Sequence, residues 1–500
     1  MIKKNDEIVV KISELNSEGK GVSKLENGFV IFSAGTLPGD EVLIYIRKKK
    51  SNYAEAKLIK IISKSGNRID PVCPYFGICG GCKIQNYSYS KQLEFKTRLV
   101  KDAFERIGKF TGLTIPEALK SDDVFYYRNK MEFSFSDDAW LTDAPGQMII
   151  PPNPHLQVGN AETFITLQNT TYKGEQGGCN ASKFALGLHV PRFHSKIIDI
   201  EECFLQSTVS NDILNFTRDF FKSRNISLYS TKTQCGFLRF LIIRQSRNTD
   251  DLMVNIITYD YNKELINEYS DNLRTSIPYI TTIINSISSS KAQVAKGERE
   301  YILSGSGFIT EKLKTDSGKE YQYKISPGSF FQTNTLQAEK LFNTVVELGD
   351  FRKSDNVLDL YCGAGSISIF ISGLVYKVLG IELVNDSIVD AKINSQLNEA
   401  ENTEFITSDI KDFFENYKTI SGYNKLILDP PRSGLHPRIC EILSEMKFEK
   451  IIYVSCNPHT QARDLQIICN KGNYEIEKLQ PVDMFPHTYH VENVVCLVNL

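Results

Sequence analysis

The sequence predicts an α/β protein in three parts: an OB-like β-barrel at 1–62, a central β-rich α+β domain at 63–320, and a doubly wound domain at 321–500. Three observations carry this. From about residue 321, apolar runs (NVLDL, YKVLGIEL, TEFITSD, NKLILDPP, EKIIYVSC) each lead into a loop or helix-like segment. Strands alternating with helices imply a parallel sheet covered on both faces, with ligands outside the carboxyl ends of its strands. Before residue 62, short apolar runs (EIVVKI, GFVIFS, DEVLIYI, AEAKLIKII) are punctuated by turn signals at SEGKG, ENG and LPGD, as in a five-stranded barrel. Between them lie more strand-like runs, among them KMEFSF, ALGLHV, FLRFLIIRQ and LMVNIITY.

The chain has 500 residues, 41% apolar and 24% charged, the balance of a globular protein with two to four domains. It lacks an apolar run long enough for a membrane span, and its opening MIKKNDEIVVKISE turns polar too early for a signal peptide. A cytoplasmic protein without membrane contact is expected. The net charge of −2 conceals a division, because residues 320–500 carry 16 Lys+Arg against 24 Asp+Glu. The front of the chain is therefore mildly basic, which favours a polyanionic partner there. Basic residues at Arg47–Lys50 suit phosphate contact or simply keep a strand edge soluble.

After the barrel, YSKQLEFKTRLVKDAFERIG has helical spacing and a stop at Gly108. The stretch 137–183 is rich in Gly, Asn, Pro and Thr and reads as a long loop or insertion. Eleven cysteines without a secretory signal argue for free thiols rather than disulfides, and Cys73, Cys79 and Cys82 fall within ten residues.

The C-terminal part carries the chemistry. DLYCGAG at 359–365 follows a strand and precedes a helix; Gly363 and Gly365 allow a tight turn, and Ser368 stands where a dinucleotide fingerprint has its third glycine. Glu382 ends the second strand, where a carboxylate would bind ribose hydroxyls, and Asp409 follows the third, placed for an adenine edge. This ordered set points to S-adenosylmethionine (SAM) rather than NAD. Asp429-Pro430-Pro431 makes a stiff acidic loop suited to a planar base or the cofactor. Cys456, in YVSCNP at the rim of the fifth strand, is a candidate nucleophile; the alternative is an inert core thiol.

Thiol, carboxylate and SAM together define a reaction. Carbon 5 of uracil is a poor nucleophile. A thiolate adding at C6 makes an enolate that takes the methyl group at C5, and a base must then remove the C5 proton before the thiol leaves. This needs a thiol of depressed pKa and a positioned base, roles for Cys456 and Glu492.

DLYCGAG, LDPPR, SCNP and HVE, preceded by SPGSFFQTN at 326–334, resemble the RNA uracil-C5 methyltransferases that make 5-methyluridine. The first 62 residues resemble the TRAM domain of many members. The resemblance implies a class I, Rossmann-like SAM-dependent catalytic domain. It implies Cys456 as nucleophile and Glu492 as proton acceptor, with Gln332, Tyr361, Glu382 and Asp429 at SAM; Gly363 follows from the glycine turn and Asp409 from strand order alone. It also implies that Cys73, Cys79 and Cys82, with Cys203 as fourth, hold a 4Fe–4S cluster as in the iron–sulfur members; four thiolates serve zinc as the alternative. Cys362 is expected to be structural.

The implied partner is RNA, with the uridine in a loop or flipped out. The cluster and barrel favour 23S ribosomal RNA over transfer RNA, and a monomer is expected. Tyr87, Tyr89, Lys91, Phe125, Tyr126, Tyr127, Arg128 and Lys130 are candidates for stacking and phosphate contact, whereas Phe330 and Phe331 are expected to pack internally. The enzymatic rival is an N-methyltransferase of an exocyclic amine, whose loop carries an aromatic residue where Arg432 stands here. A non-enzymatic rival is an RNA-binding module with a decayed transferase fold.

Overall fold

A computed structural model describes residues 2–140, 184–191, 193–416 and 422–500. The stretch expected to be an insertion lies, from 141 to 183, outside the described residues.

Six strands build the N-terminal unit: β1 (Glu7–Lys11), β2 (Glu14–Leu15), β3 (Gly21–Lys24), β4 (Val30–Ser33), β5 (Glu41–Lys49) and β6 (Tyr53–Ser63). The four apolar runs read from the sequence are β1, β4, β5 and β6; the short β2 and β3 carry too few apolar residues to show. The sheet order is β1-β5-β6-β4-β3-β2. Because β1 runs on through Ser13, whose amide donates to Val22 O, into β2, the two edges are one stretch of chain and the sheet closes. Val10, Ile12, Ile31, Val42, Ile44 and Leu58 fill its interior.

Helix α1 (Tyr89–Arg106) follows, as its spacing predicts. The central unit then comprises β7 (Lys130–Ser136), β8 (Ala185–Val190), β9 (Phe193–Asp199), α2 (Thr208–Ser223), β10 (Leu238–Gln245), β11 (Leu252–Thr258), α3 (Lys263–Ser276), β12 (Thr282–Ile287) and β13 (Arg299–Ser304). These strands form one sheet in the order β13-β12-β11-β10-β7-β8-β9. A hairpin, β14 (Ile309–Lys314) and β15 (Glu320–Ile325), connects it to the last unit.

The last unit runs α4 (Thr335–Gly349), β16 (Asn356–Leu360), α5 (Ser366–Ser372), β17 (Lys377–Glu382), α6 (Asn385–Leu397), β18 (Thr403–Thr407), α7 (Ile410–Asn416), β19 (Lys425–Leu428), α8 (Pro437–Glu445), β20 (Lys450–Ser455), α9 (Pro458–Cys469), β21 (Tyr474–Val482) and β22 (Glu492–Asn499). Its sheet order is β18-β17-β16-β19-β20-β22-β21, parallel except for β22, which opposes both neighbours. Strands such as KLIL at β19 are buried throughout because both faces are covered. Val357, Ile427 and Ile452 face one core, while Leu358, Leu426 and Ile451 face another that also takes Val100, Ala103 and Phe104 of α1. The helix that the sequence assigns to the central domain, 63–320, thus packs on the C-terminal sheet. Among the described residues no helix is long and apolar enough to cross a membrane.

Candidate active site

The reversed strand β22 creates the central pair. In its ladder with β20 the last partners are Ser455 and Asn493; Cys456 follows in the bend that ends β20, and Glu492 opens β22, near enough for its charge to act on the thiol. Glu492 is buried and Cys456 half-buried. Burial first, then the charge of nearby Asp429, pushes the Glu492 carboxyl up to about 8. Burial first, then Glu492, pushes the Cys456 thiol up to about 11. Burial and Glu492 thus oppose the depressed thiol expected from the sequence.

A line of buried acids leads away from this pair. Asp429 is pushed up to about 7 by burial and then by Asp359, and Asp359 likewise to about 7 by burial. Ser368, in place of the third fingerprint glycine, donates to Asp359 Oδ2 at 2.5 Å. The other oxygen, Oδ1, is buried without a partner. Two buried carboxyls, Asp359 and Glu492, with the half-buried Asp429 between them and one orphaned oxygen, make a site that a cationic ligand would stabilise.

The glycine turn frames it. Tyr361, Gly363 and Gly365 all have positive φ (65°, 54° and 75°), and a Cβ built on Gly363 would meet nothing within 4 Å, leaving room for a ligand against the backbone. Strain at the non-glycine Tyr361 is the kind concentrated at functional sites. The Glu382 carboxylate accepts from Gly363 N at 3.2 Å and Val384 N at 2.9 Å, at the rim of β17. Asp409 is exposed and caps α7 by accepting from Lys411 N at 2.8 Å; its charge also helps raise Tyr361. Gln332 is partly buried, and its carbonyl accepts from Asn129 Nδ2 at 2.9 Å. Cys362 is buried, and its sulfur would stand 2.8 Å from a Cβ on Gly380: it packs the turn, as expected.

Arg432, read in the sequence only as the residue replacing an aromatic, hydrogen-bonds Cys456 and counters the charges that raise both the thiol and Glu492. Its Nη2 lies 3.0 and 3.2 Å from the two ring nitrogens of His490. Near-equal distances to both nitrogens put the guanidinium over the imidazole face. Burial and then Arg432 push that imidazole down to about 4, keeping it neutral. Arg432 O accepts from Asn457 Nδ2 at 3.0 Å, tying the Pro-Pro loop to the one after Cys456. Arg432, Cys456, Asn457, His459 and His490 line a cavity of about 290 Å³, the low end for a single-ligand site.

Cys73, Cys79, Cys82 and Cys203 surround a second cavity, of about 510 Å³. Each is raised chiefly by burial, and Cys203 adds to the rise of the other three; Arg128 lowers both Cys82 and Cys203. Among the described residues no three such side chains converge tightly enough for a single metal ion. The four thiols round this cavity are faced by Arg128, whose buried Nε has no partner. The aromatic candidates divide. Tyr87 and Tyr127 are buried, and the Tyr89 hydroxyl donates to Asp483, so these three serve the core. Tyr126 stays exposed. Phe331 is buried as expected, but Phe330 is 70% exposed, contrary to expectation.

Residues 246–500 match the family described as tRNA (Uracil-5-)-methyltransferase, and residues 3–59 match the TRAM domain. A Chlorobaculum tepidum RNA methyltransferase is 37% identical over 99% of this chain and 96% of its own length. One from Bacteroides thetaiotaomicron is 37% identical over 96% of this chain and 99% of its own. Among solved structures, the Pyrococcus abyssi tRNA (uracil-54, C5)-methyltransferase in complex with S-adenosyl-L-homocysteine superposes with a TM-score of 0.71, at 28% identity, over 98% of this chain and 100% of that one.

Proposed function

The chain belongs to the RNA uracil-5-methyltransferase family and carries a TRAM domain, so that it is a SAM-dependent enzyme acting on RNA; from this premise we propose that it methylates C5 of one uridine through a covalent bond between Cys456 and C6. The observation that supports this reading is the mutual electrostatic influence of Cys456, Glu492 and Asp429 at the adjoining ends of β20 and β22. Gly363, Glu382, Asp429, Tyr361 and Gln332 would hold SAM, which would supply the methyl group on a sulfonium whose positive charge would suit Asp359, Asp429 and Glu492.

Arg432 holds the thiolate form of Cys456 for attack at C6. After methyl transfer, Glu492 takes the proton from C5, and loss of that proton drives expulsion of the thiol. A carboxyl raised to about 8 suits a base working near neutral pH. The exposed Phe330 ring, two residues before Gln332, supplies a stacking face for the flipped base. The test is methyl transfer from labelled SAM to RNA, with the product nucleoside identified. We expect 5-methyluridine, lost in Cys456→Ala; transfer unaffected by that substitution would favour the N-methyl route.

The proposed RNA is 23S ribosomal RNA, supported by the four-cysteine cavity and the barrel. Transfer RNA is the second reading, favoured by likeness to an enzyme named for uracil-54 of tRNA. Assaying purified 23S RNA and tRNA side by side separates them. Cys73, Cys79, Cys82 and Cys203 would hold a 4Fe–4S cluster, which methyl transfer does not require for electrons and which would brace the loops around it. Cys82→Ser is expected to lose iron, brown colour and thermal stability; retained iron would refute the assignment.

A further inference from the structure

The cavity at Cys456 is not closed by the catalytic unit alone. Ser17, from the turn between β2 and β3 of the barrel, and Leu99 of α1 complete its lining. The turn is rigid on its own account: Asn16 Oδ1 accepts from Glu18 N at 3.0 Å and Lys20 N at 2.9 Å, and Gly19 N donates to Asn16 O at 2.9 Å. It is also seated. Gly19, at φ +71°, lies against Ile84 and Tyr489, both 3.6 Å from where its Cβ would stand. Beneath it, Leu15 and Leu37 of the barrel share a buried cluster with Ile84, Phe95 and Leu99, against which Tyr489 packs. Arg98 Nη2 adds a bond to Leu15 O at 3.3 Å. Tyr489 in turn precedes His490, which carries Arg432.

We infer that the Asn16–Lys20 turn of the barrel is a specificity-determining wall of the catalytic pocket, with Ser17 touching the RNA nucleotide next to the reacting uridine. The inference rests on the function proposed above. A base reaching Cys456 enters a cavity of about 290 Å³, so its neighbour in the strand is held at the rim. There Ser17 is exposed, while the rest of the turn is fixed by its own hydrogen bonds and its apolar seat. The barrel in this arrangement shapes the reaction site itself, beyond any charge attraction it offers to phosphates.

Ser17→Trp narrows the cavity without touching the turn's internal bonds; Glu26→Trp, on the exposed turn between β3 and β4, is the matched control. Both are compared with the parent for thermal unfolding, SAM affinity, methyl transfer to RNA, and alkylation of Cys456 by a bulky maleimide followed by mass spectrometry. We expect Ser17→Trp to keep unfolding temperature and SAM affinity while kcat/KM for RNA and Cys456 alkylation each fall about tenfold or more, with Glu26→Trp unchanged. Equal behaviour of the two variants in both assays would overturn the proposal. Slowed alkylation in a protein whose parent makes no 5-methyluridine would uphold the wall and reject the proposed function instead.

Discussion

Cys456, just past the end of β20, and Glu492, the first residue of β22 and 36 positions on in the chain, sit close enough for the carboxylate to act on the thiol, because the final strand runs against its neighbours. Were β22 parallel, the end carrying Glu492 would lie at the opposite rim of the sheet from Cys456. The reversed strand therefore supplies the proton acceptor. Glu492→Gln keeps the shape of that side chain and removes its basicity. It should still let Cys456 join RNA, and should accumulate a protein–RNA complex resistant to denaturing gels while turnover falls by about 10²-fold or more. Normal turnover would show that another group removes the proton.

Arg432 is the cation set against the acids around the thiol. Replacing it with methionine should move the acidic limb of the pH–rate profile upward, and activity at neutral pH should fall about tenfold for each pH unit the limb moves. Arg432→Lys keeps the charge but loses the planar face that lies on His490, and should recover only part of the rate. A limb that does not move in Arg432→Met contradicts this role.

The buried acids have a thermodynamic signature. Asp359 and Asp429 are raised to about 7 and Glu492 to about 8, so between about pH 4 and 8 the folded state holds protons that the unfolded chain releases. Their contribution is present at low pH and lost as pH rises through that window. His487 and His490, lowered to about 4, act oppositely: their contribution is present above about 6.5 and lost as pH falls towards 4. Asp429→Asn removes one acid and relieves Glu492. Its stability relative to the parent should grow from about pH 5 to about pH 8 in urea unfolding. A difference independent of pH would show that these acids are not protonated in the folded protein.

The loop before Glu492 is held from outside the catalytic sheet. Lys96 of α1, fully buried, pairs with buried Asp483 and donates to Phe485 O at 2.9 Å, and Lys83 N and Ile84 N of the cysteine loop both donate to His487 O. Lys96→Met leaves Asp483 buried without its cation and should cost about 3–5 kcal/mol by denaturant unfolding. The double variant Lys96→Met, Asp483→Leu should recover much of that loss. Equal stability of the single variant and the parent would show the pair to be expendable.

The chemistry-bearing end of the chain was legible because its signals are local. Gly363 and Gly365 do adopt positive φ, and the apolar runs are the strands of a sheet buried on both faces. What escaped depends on loops meeting in space. Nothing local tells that Arg432 turns to His490 and Cys456, or that in Phe330-Phe331 the second ring packs and the first stays out. Chain order likewise hid α1, whose apolar face is as regular as expected but whose partner lies about 300 residues later. The sequence predicts a depressed thiol, yet burial and Glu492 outweigh the Arg432 cation beside it.

The most direct test replaces the target uridine with 5-fluorouridine in the RNA. Fluorine cannot leave as a proton does, so after methyl transfer the intermediate has no exit. The account predicts a stable, methylated protein–RNA conjugate whose mass maps to Cys456 and which Cys456→Ala does not form. Methyl transfer to RNA without any such conjugate would contradict it.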